Sequence, residues 1–139
     1  SLTAALQERA RRAGIHAEFT GFVGAARLRD LMADAEVFVS VPSSDAASVA
    51  VLQAMAAGCF PVLSDLPTQR EWVDDGVNGF LVPVPNWQFL ADRIIAALDD
   101  AGLRRAAAGR NRAIVEERGL NETQMARMEE IYLRLAGRA

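Results

Sequence analysis

The sequence predicts an α/β fold, a Rossmann-like parallel sheet with helices on both of its faces. Short apolar segments alternate along the chain with longer segments whose apolar residues recur at helical spacing. The short segments are apolar nearly throughout rather than at every second residue, which is typical of strands buried on both faces. Because parallel strands need crossover connections, the helices between them indicate the same fold.

The bulk composition fits one globular domain without a nucleic-acid-binding surface. The 139 residues are 51% hydrophobic and 24% charged, and their net charge is −3. No apolar run approaches the roughly 18 residues that span a bilayer. The one cysteine, Cys59, cannot form a disulfide within the chain, which suits a reducing compartment. We therefore expect a cytoplasmic protein, either free or attached to the inner membrane face.

The first part of the chain reads as helix, strand, helix and strand. Residues 1–13 form an amphipathic helix that ends at Gly14. Ile15–Phe22 carries β-favouring residues and predicts a strand, and Ala26–Ala35 has apolar residues at helical spacing. Glu36–Val41 predicts a second, largely apolar strand.

Two further strands follow a helix that is apolar almost all round. That helix covers residues 48–57, is expected to be buried, and ends at Gly58. Phe60–Ser64 and Phe80–Pro83 predict short strands, with a loop and a short helix over Asp65–Asn78. Four strands make a small sheet, and the chain opens on a helix, so we expect further strands upstream.

The rest of the chain is predicted to be helical. The helices cover Trp87–Leu98, Leu103–Arg118 and Glu122–Leu135. The arginine-rich run Arg104–Arg118 is expected to form a solvated helix face. The last helix carries an apolar stripe expected to pack in the core, consisting of Met125, Met128, Ile131 and Leu135. One domain therefore combines an α/β core over residues 1–85 with C-terminal helices over residues 86–139.

The strand, loop and helix over Val37–Ala57 carry the candidate binding residues. In open parallel sheets, ligands bind beyond the carboxyl ends of strands, where loops lead into helix N-termini that suit phosphate. This loop offers Ser43, Ser44, Asp45 and Ser48. Because a carboxylate repels phosphate, Asp45 is better matched to N–H groups or to the neutral hydroxyls of a sugar.

Gln53 is the one amide in the otherwise apolar helix. Burying an amide without partners costs roughly 1–3 kcal/mol, and a ribose diol would satisfy both its donor and its acceptor. A purely structural alternative stays open at this point. In that alternative Asp45 caps the helix, the serines belong to a turn, and Gln53 faces solvent or a neighbouring loop.

Several short motifs then follow one another in a specific order. They are Pro42–Ser43, Asp45, LQAMA at 52–56, GCFPV at 58–62, EWV at 71–73 and DGVNG at 75–79. This series resembles the C-terminal domain of the family-four, or group 1, retaining glycosyltransferases, whose GT-B fold has two Rossmann-like domains. The resemblance covers residues 15–95 closely and the helical tail more loosely.

The resemblance implies a domain that binds the donor, a nucleotide-diphosphate sugar, in a transferase that moves a hexose with retention. By position, Asp45 would contact hydroxyls of the transferred sugar as the catalytic residue, and Gln53 would replace the glutamate that holds the ribose. Backbone N–H groups at residues 47–50 would receive the diphosphate, and the Gly21–Phe22 loop would lie near the base. The donor-binding residues implied are Ser43, Ser44, Ala46, Ala47, Ser48, Val49, Gln53, Gly21, Phe22 and Glu71. No metal and no other cofactor are expected.

Three departures from the family pattern bear on activity. Gln53 lacks the glutamate's charge, and Ala46 and Ala47 stand where the family has a Gly-rich stretch. The family's phosphate-neutralising basic pair and its acceptor site belong to parts upstream of residue 1. We therefore expect the isolated chain to be inactive, with an N-terminal acceptor-binding domain as its partner. In the family the C-terminal helices cross back to that domain, so an interface there is the alternative for part of the apolar stripe on the last helix.

Two alternatives remain beside this interpretation. A non-catalytic binding, regulatory or assembly module derived from the domain would form a homodimer through its exposed sheet edge. A nucleotide-sugar epimerase of the same two-domain architecture is the third hypothesis, although the motif order fits the transferases better.

Overall fold

A computed structural model describes residues 1–45, 48–119 and 121–136 of the chain. A short π-helical turn, Val115–Gly119, joins the last two helices. In chain order, the elements are α1 (Leu2–Arg12), α2 (Ala25–Asp34), β1 (Val37–Ser40), α3 (Val49–Ala57), β2 (Phe60–Ser64), α4 (Pro67–Arg70), β3 (Phe80–Val82), α5 (Trp87–Asp99), α6 (Ala101–Ile114) and α7 (Asn121–Ala136).

The sheet has three parallel strands in the order β1-β2-β3. Val37 pairs with Phe60, and Val62 pairs with Phe80. Helices lie on both faces, so the predicted fold class is confirmed. The strands begin at one side of the sheet, the amino edge, marked by Glu36, Cys59 and Gly79, and they end at the other, the carboxyl edge, marked by Val41, Asp65 and Pro83.

The hydrophobic core is split between the two faces of the sheet. On one face, α5 covers Phe60, Val62, Phe80 and Val82, and the rings of Phe60 and Phe80 meet edge to face with centroids 5.0 Å apart. On the other face, α3 packs through Val51 and Met55 on Leu63. Each fully buried side chain of this size stabilises the fold by roughly 1.5–3 kcal/mol. The side chains of adjacent residues in β2 therefore lie on opposite faces of the sheet, as the pleat of a strand requires.

The predicted strand at Ile15–Phe22 does not form, so that prediction is wrong. This segment has no regular hydrogen-bonded structure, and most of its side chains are exposed. A strand satisfies its backbone groups only by pairing, and among the described residues β1 pairs with β2 alone. Residues that favour a strand therefore do not form one here, because no neighbouring strand lies beside them.

The apolar stripe of α7 is exposed, which contradicts its predicted place in the core. Met125 is 60% exposed and Ile131 is 52% exposed, and Met128 is also exposed. The side chain of Leu135 lies outside the described part of the chain. An amphipathic helix buries its stripe only where another element meets it, so the pattern identified the helix but not its burial.

Candidate functional site

The loop between β1 and α3 brings a helix N-terminus to the carboxyl edge. Ser48 is the N-cap of α3, and its carbonyl accepts from the N–H groups of Val51 and Leu52 at 3.1 and 3.3 Å. The Ser48 side chain makes no capping hydrogen bond. The first N–H groups of a helix lack partners within it and carry partial positive charge. This edge therefore presents backbone donors that suit an anionic ligand.

Asp45 lies half-buried in that loop, three residues before the N-cap. The Thr68 hydroxyl of α4 donates to the Asp45 carbonyl oxygen at 3.0 Å, which ties the loop to the segment after β2. Sequence reasoning missed Thr68, because nothing local links two residues 23 positions apart. Ala46 and Ala47 lie outside the described residues, so their predicted contact with a diphosphate stays a prediction.

The remaining loop residues predicted for the site are accessible. Ser43 and Ser44 are exposed, and Val49 is exposed in the first turn of α3. Glu71 is exposed directly after α4, at its C-cap. These four side chains are therefore accessible to a ligand.

Gln53 is exposed, which corrects the expectation of a buried helix and a buried amide. The helix α3 has a buried face formed by Val51, Ala54 and Met55, whereas Gln53 lines a cavity of about 330 Å³ facing α2. The cost of an unpaired buried amide therefore gives no argument for a ribose at this position. A contact between Gln53 and a ribose stays a prediction from the resemblance.

The Gly21–Phe22 turn presents an aromatic ring to solvent. Gly21 has a φ of +62°, in the left-handed region that favours glycine, and Phe22 is 99% exposed. An exposed aromatic ring can stack on a planar ligand. Its predicted place near a nucleotide base stays a prediction.

A cavity of about 320 Å³ opens at the carboxyl edge, where all three strands end. Ser64, the last residue of β2, lines it and is fully buried, and its hydroxyl has no hydrogen-bond partner among the described residues. The complete lining consists of Ser43, Ser64, Asp65, Leu66, Val84 and Pro85. A single serine closing an apolar strand was the only sequence signal for this feature.

Asp65 and Arg70 form an ion pair beside this cavity. The Arg70 guanidinium donates to both carboxylate oxygens of Asp65, at 2.6 and 2.8 Å. These hydrogen bonds hold the pKa of Asp65 below its ordinary value and raise the pKa of Arg70. Arg70, the last residue of α4, is therefore paired with a neighbouring carboxylate.

Two arginines at the amino edge donate hydrogen bonds to the C-terminal ends of helices. The Arg104 side chain, 15% exposed, donates to the carbonyl oxygens of Ala97 and Leu98 at the end of α5 and lies 3.2 Å from the Glu36 carboxylate. Arg112 donates to the Ala56 carbonyl at the end of α3 at 3.4 Å. The C-terminal carbonyls of helices carry partial negative charge. The expectation of a solvated arginine face is thus wrong for Arg104, which closes a helix end.

Two buried asparagines complete the amino edge. The Asn78 amide donates to the Asn111 side-chain oxygen at 2.7 Å and to the Trp72 carbonyl at 3.0 Å, and its own oxygen accepts from the Asp74 N–H. The Asn111 amide in turn donates to the Asn78 carbonyl at 3.0 Å. The asparagine of the DGVNG motif therefore fastens the turn before β3 to α6.

Cys59 is buried between α2 and α3. Its thiol donates to the Met32 carbonyl at 3.0 Å, and burial raises the thiol pKa.

Within residues 1–45, 48–119 and 121–136, no group of three or more His, Cys, Asp or Glu residues could hold a metal ion. In the same part of the chain, every helix is too short or too polar to cross a bilayer.

The chain matches a protein-family model, and it is similar to curated proteins. The family model described as glycosyl transferases group 1 matches residues 3–113. A phosphatidyl-myo-inositol mannosyltransferase of Mycobacterium tuberculosis is 38% identical over 116 residues, which are 78% of this chain and 30% of that protein. A GDP-mannose:cellobiosyl-diphosphopolyprenol alpha-mannosyltransferase of Xanthomonas oryzae is 31% identical over 86 residues, 59% of this chain and 23% of that protein. The chain thus spans less than a third of these relatives.

Solved structures share the fold at lower identity. The Anabaena protein HepE, in complex with UDP-glucose, superposes with a TM-score of 0.82 at 24% identity, covering 95% of this chain and 36% of that one. The C-terminal domain of a glycosyl transferase group 1 family protein of Francisella tularensis gives a TM-score of 0.76 at 21% identity, covering 86% and 63%.

Proposed function

Because this chain belongs to the glycosyl transferases group 1 family, we propose that it is the donor-binding domain of a retaining hexosyltransferase. The donor is a nucleotide-diphosphate sugar. The observation that carries the proposal is the N-terminus of α3 at the carboxyl edge, with Asp45 held in the loop before it. Backbone N–H groups that can donate hydrogen bonds to a diphosphate therefore lie in the same short segment as a carboxylate that can accept hydrogen bonds from sugar hydroxyls.

The chemistry of transfer explains why these two features belong together. Negative charge develops on the departing nucleoside diphosphate, and the fixed N–H groups of a helix N-terminus stabilise that charge without rearranging. Asp45 accepts hydrogen bonds from hydroxyls of the transferred hexose. The Thr68 hydroxyl holds the Asp45 backbone through its carbonyl oxygen, which restrains the start of this loop.

The nucleoside is assigned to exposed groups on either side of this loop. The Gln53 amide is accessible on α3 and takes the ribose hydroxyls, while the exposed ring of Phe22 stacks on the base. Two relatives are named as mannosyltransferases, one of them for GDP-mannose, and one structural neighbour holds UDP-glucose. GDP-mannose and UDP-glucose are therefore the donors to test.

The acceptor is assigned to an N-terminal domain that is the partner of this one. The exposed apolar stripe of α7 offers a surface for such a domain, and the named relatives are each more than three times longer than the segment matched. The isolated chain then binds donor but transfers nothing. The lipid-linked acceptors in the relatives' names support our proposal that the reaction takes place at the inner membrane face.

A second candidate function is a binding module that assembles through the sheet. The outer side of β1 pairs with no described residue, and Val39 on that strand is 41% exposed. An unpaired strand edge can pair with a second chain. A stable homodimer without nucleotide affinity would favour this candidate over the donor-binding domain.

Isothermal titration of the chain with GDP, UDP, ADP, GDP-mannose and UDP-glucose tests the proposal directly. Saturable binding of one nucleotide, weakened by Gln53→Ala, is the expected result. In the longer enzyme that contains this domain, Asp45→Asn should lower transfer by at least about 100-fold, as loss of an electrostatic contact to the reacting sugar does. Asp30→Asn, an exposed carboxylate on α2, is the matched control and should leave transfer unchanged.

Either of two results would contradict the proposal. Absence of binding to every nucleotide by the longer enzyme would remove the donor site. Full transfer activity in the Asp45→Asn enzyme would leave the fold assignment intact but take Asp45 out of the reaction.

A further inference from the structure

We propose that a cavity at the amino edge binds a phosphate group, held by the guanidinium groups of Arg105 and Arg112. The site lies at the opposite edge of the sheet from the loop of Asp45, so it goes beyond the proposed function and does not rest on it. A small soluble molecule or the headgroup of an anionic lipid can carry the phosphate group, since both present the same chemistry.

The cavity lies between the C-terminal ends of α2 and α3 and one face of α6. Its volume of about 520 Å³ falls within the range of ligand pockets. The uncharged residues that line it are all small, namely Ala33, Ala35, Ala57, Gly58, Ala101 and Ala108. Because these residues leave room between the elements, the charged side chains supply the groups that would fix the position of a ligand.

Three arginines of α6 line the cavity, and one of them is already paired. Arg104 lies 3.2 Å from the Glu36 carboxylate and donates to the last carbonyls of α5. Arg105 is exposed and forms no hydrogen bond or ion pair with a described residue, and Arg112 donates only to a backbone carbonyl within the same part of the chain. The charges of Arg105 and Arg112 are therefore not neutralised by direct contact with a described carboxylate.

Two carboxylates also line the cavity, but they leave positive charge in excess. The Glu36 carboxylate is paired with Arg104, while Asp34 is exposed at the end of α2. Solvent weakens the repulsion between an exposed carboxylate and an anion. Since three arginines outnumber the two carboxylates, the lining favours an anionic ligand.

The spacing of Arg105 and Arg112 leaves a gap that suits one anionic group. The two residues are separated by about two turns of α6, so they lie on the same face of the helix and roughly 10 Å apart along its axis. Ala108 lies between them on this face, and its side chain ends at the β-carbon. Long arginine side chains from both sides can therefore converge on a group seated over Ala108.

Arg112 is held in place at the end of α3. A β-carbon added to Gly58 would lie 2.6 Å from the Arg112 Nη2 atom, so the guanidinium group occupies space that a side chain at this position would need. The Arg112 Nε donates to the Ala56 carbonyl oxygen at 3.4 Å. A guanidinium group has five N–H donors, so most of them are left for a ligand in the cavity.

A phosphate group matches two guanidinium groups better than a carboxylate does. Arginine forms paired N–H···O bonds with phosphate oxygens, and the tetrahedral arrangement around phosphorus lets two guanidinium groups approach from different sides. The two oxygens of a carboxylate lie in one plane and suit a single guanidinium group. The pair of arginines therefore indicates phosphate as the group that is bound.

Amide NMR of the chain with inorganic phosphate as the probe, at constant ionic strength, tests the site. Phosphate should shift the signals of Gly58 and Ala108 saturably, and Arg105→Gln should weaken the affinity by roughly tenfold, as expected for loss of a charge-assisted hydrogen bond. The matched control is Arg110→Gln, which removes the same charge from α6 outside the cavity and should leave the affinity unchanged. Thermal unfolding of both variants confirms that they are folded.

Lipid vesicles identify the source of the phosphate group. If a lipid headgroup supplies it, the chain sediments with vesicles of phosphatidylcholine and phosphatidylglycerol but not with pure phosphatidylcholine, and Arg105→Gln lowers the sedimented fraction whereas Arg110→Gln does not. If a soluble molecule supplies it, the chain stays in solution with both vesicles, and glycerol 3-phosphate shifts the same NMR signals as inorganic phosphate. Both results support the cavity as a phosphate site.

Two results would overturn the phosphate site. One is the absence of saturable shifts at Gly58 and Ala108. The other is equal weakening of phosphate binding by Arg105→Gln and Arg110→Gln, which would show a response to total charge alone. Neither result bears on nucleotide binding at the carboxyl edge, which titration calorimetry measures separately.

Discussion

The two edges of the sheet differ in the hydrogen bonding of the buried side chains Asn78, Asn111 and Ser64. At the amino edge, the Asn78 and Asn111 side chains satisfy one another and nearby backbone groups, and Arg104 closes the end of α5. At the carboxyl edge, the Ser64 hydroxyl is buried without a protein partner beside an open cavity. Both edges belong to the same small sheet, so the difference in hydrogen bonding reflects different functions of the two edges.

Partner satisfaction distinguishes buried structural groups from groups at a binding edge. Buried polar groups that only stabilise a fold are paired, because an unpaired group opposes folding. Variants of the paired groups at the amino edge should therefore change stability but not nucleotide affinity, and variants at the carboxyl edge should do the reverse.

The largest stability loss is expected for Asn78→Ala. This change removes the three hydrogen bonds of a fully buried amide and leaves its partners unpaired, so the free energy of unfolding should fall by about 3 kcal/mol. Urea denaturation measures the effect. Asn86→Ala, which removes only the exposed cap of α5, is the control and should cost about 1 kcal/mol. Equal losses for the two would contradict the structural role of the Asn78 pair.

A smaller loss is expected for Arg104→Ala. It removes charge-assisted hydrogen bonds to the last carbonyls of α5 and should lower stability by about 2 kcal/mol, with nucleotide affinity unchanged. The control is Arg105→Ala, an exposed neighbour without a hydrogen bond to a described residue, which should change stability by less than about 0.5 kcal/mol. Weaker nucleotide binding by Arg104→Ala would contradict the expectation that Arg104 affects stability alone.

Ser64→Ala is expected to leave the empty protein as stable as before or to raise its stability by up to about 1 kcal/mol. The change removes a buried hydroxyl that has no protein partner and keeps the packing nearly constant. Urea denaturation without ligand measures it beside Ser40→Ala, a control on β1 that does not line the cavity. A loss greater than about 1 kcal/mol would show that the hydroxyl is already satisfied in the empty protein.

The smallest effect concerns the ion pair of Asp65 and Arg70. The folded pKa of Asp65 lies below its unfolded value, so the pair's stabilisation is fully present above the unfolded pKa and is lost as pH falls through the folded pKa. Because the pair is largely exposed, salt should weaken it. NMR titration of the carboxyl group should show the lowered pKa, and Arg70→Gln should return it toward the ordinary value. An unchanged pKa in that variant would assign the shift to another cause.

Local patterns predicted the elements whose structure depends on local interactions. The strands β1, β2 and β3 were identified because continuous apolar runs between helices indicate burial on both faces. The helix α3 was placed to within one residue, because Gly58 ends it with a φ of +95°. The segment Ile15–Phe22 was predicted wrongly, because a strand also needs a neighbour that its own sequence does not supply.

The sequence predicted only those candidate site residues that belong to a recognisable motif. The loop of Asp45 was found from its position between a strand and a helix, and the structure places that helix N-terminus at the carboxyl edge. The exposure of Gln53 depends on which face of α3 meets the sheet, and its local sequence, apolar on every side, does not specify that face. Thr68 and Ser64 became visible only when distant segments were brought together.

The buried thiol of Cys59 can be used to measure local opening of the protein. It is the chain's one cysteine, and its sulfur lies under α2 with no exposed surface. A thiol reagent can reach it only during moments when α2 separates from α3, so the rate of labelling counts those openings without any engineered probe. Since the loop of Asp45 leads into the other end of α3, a bound nucleotide that restrains this helix would slow the labelling of a residue at the opposite edge of the sheet.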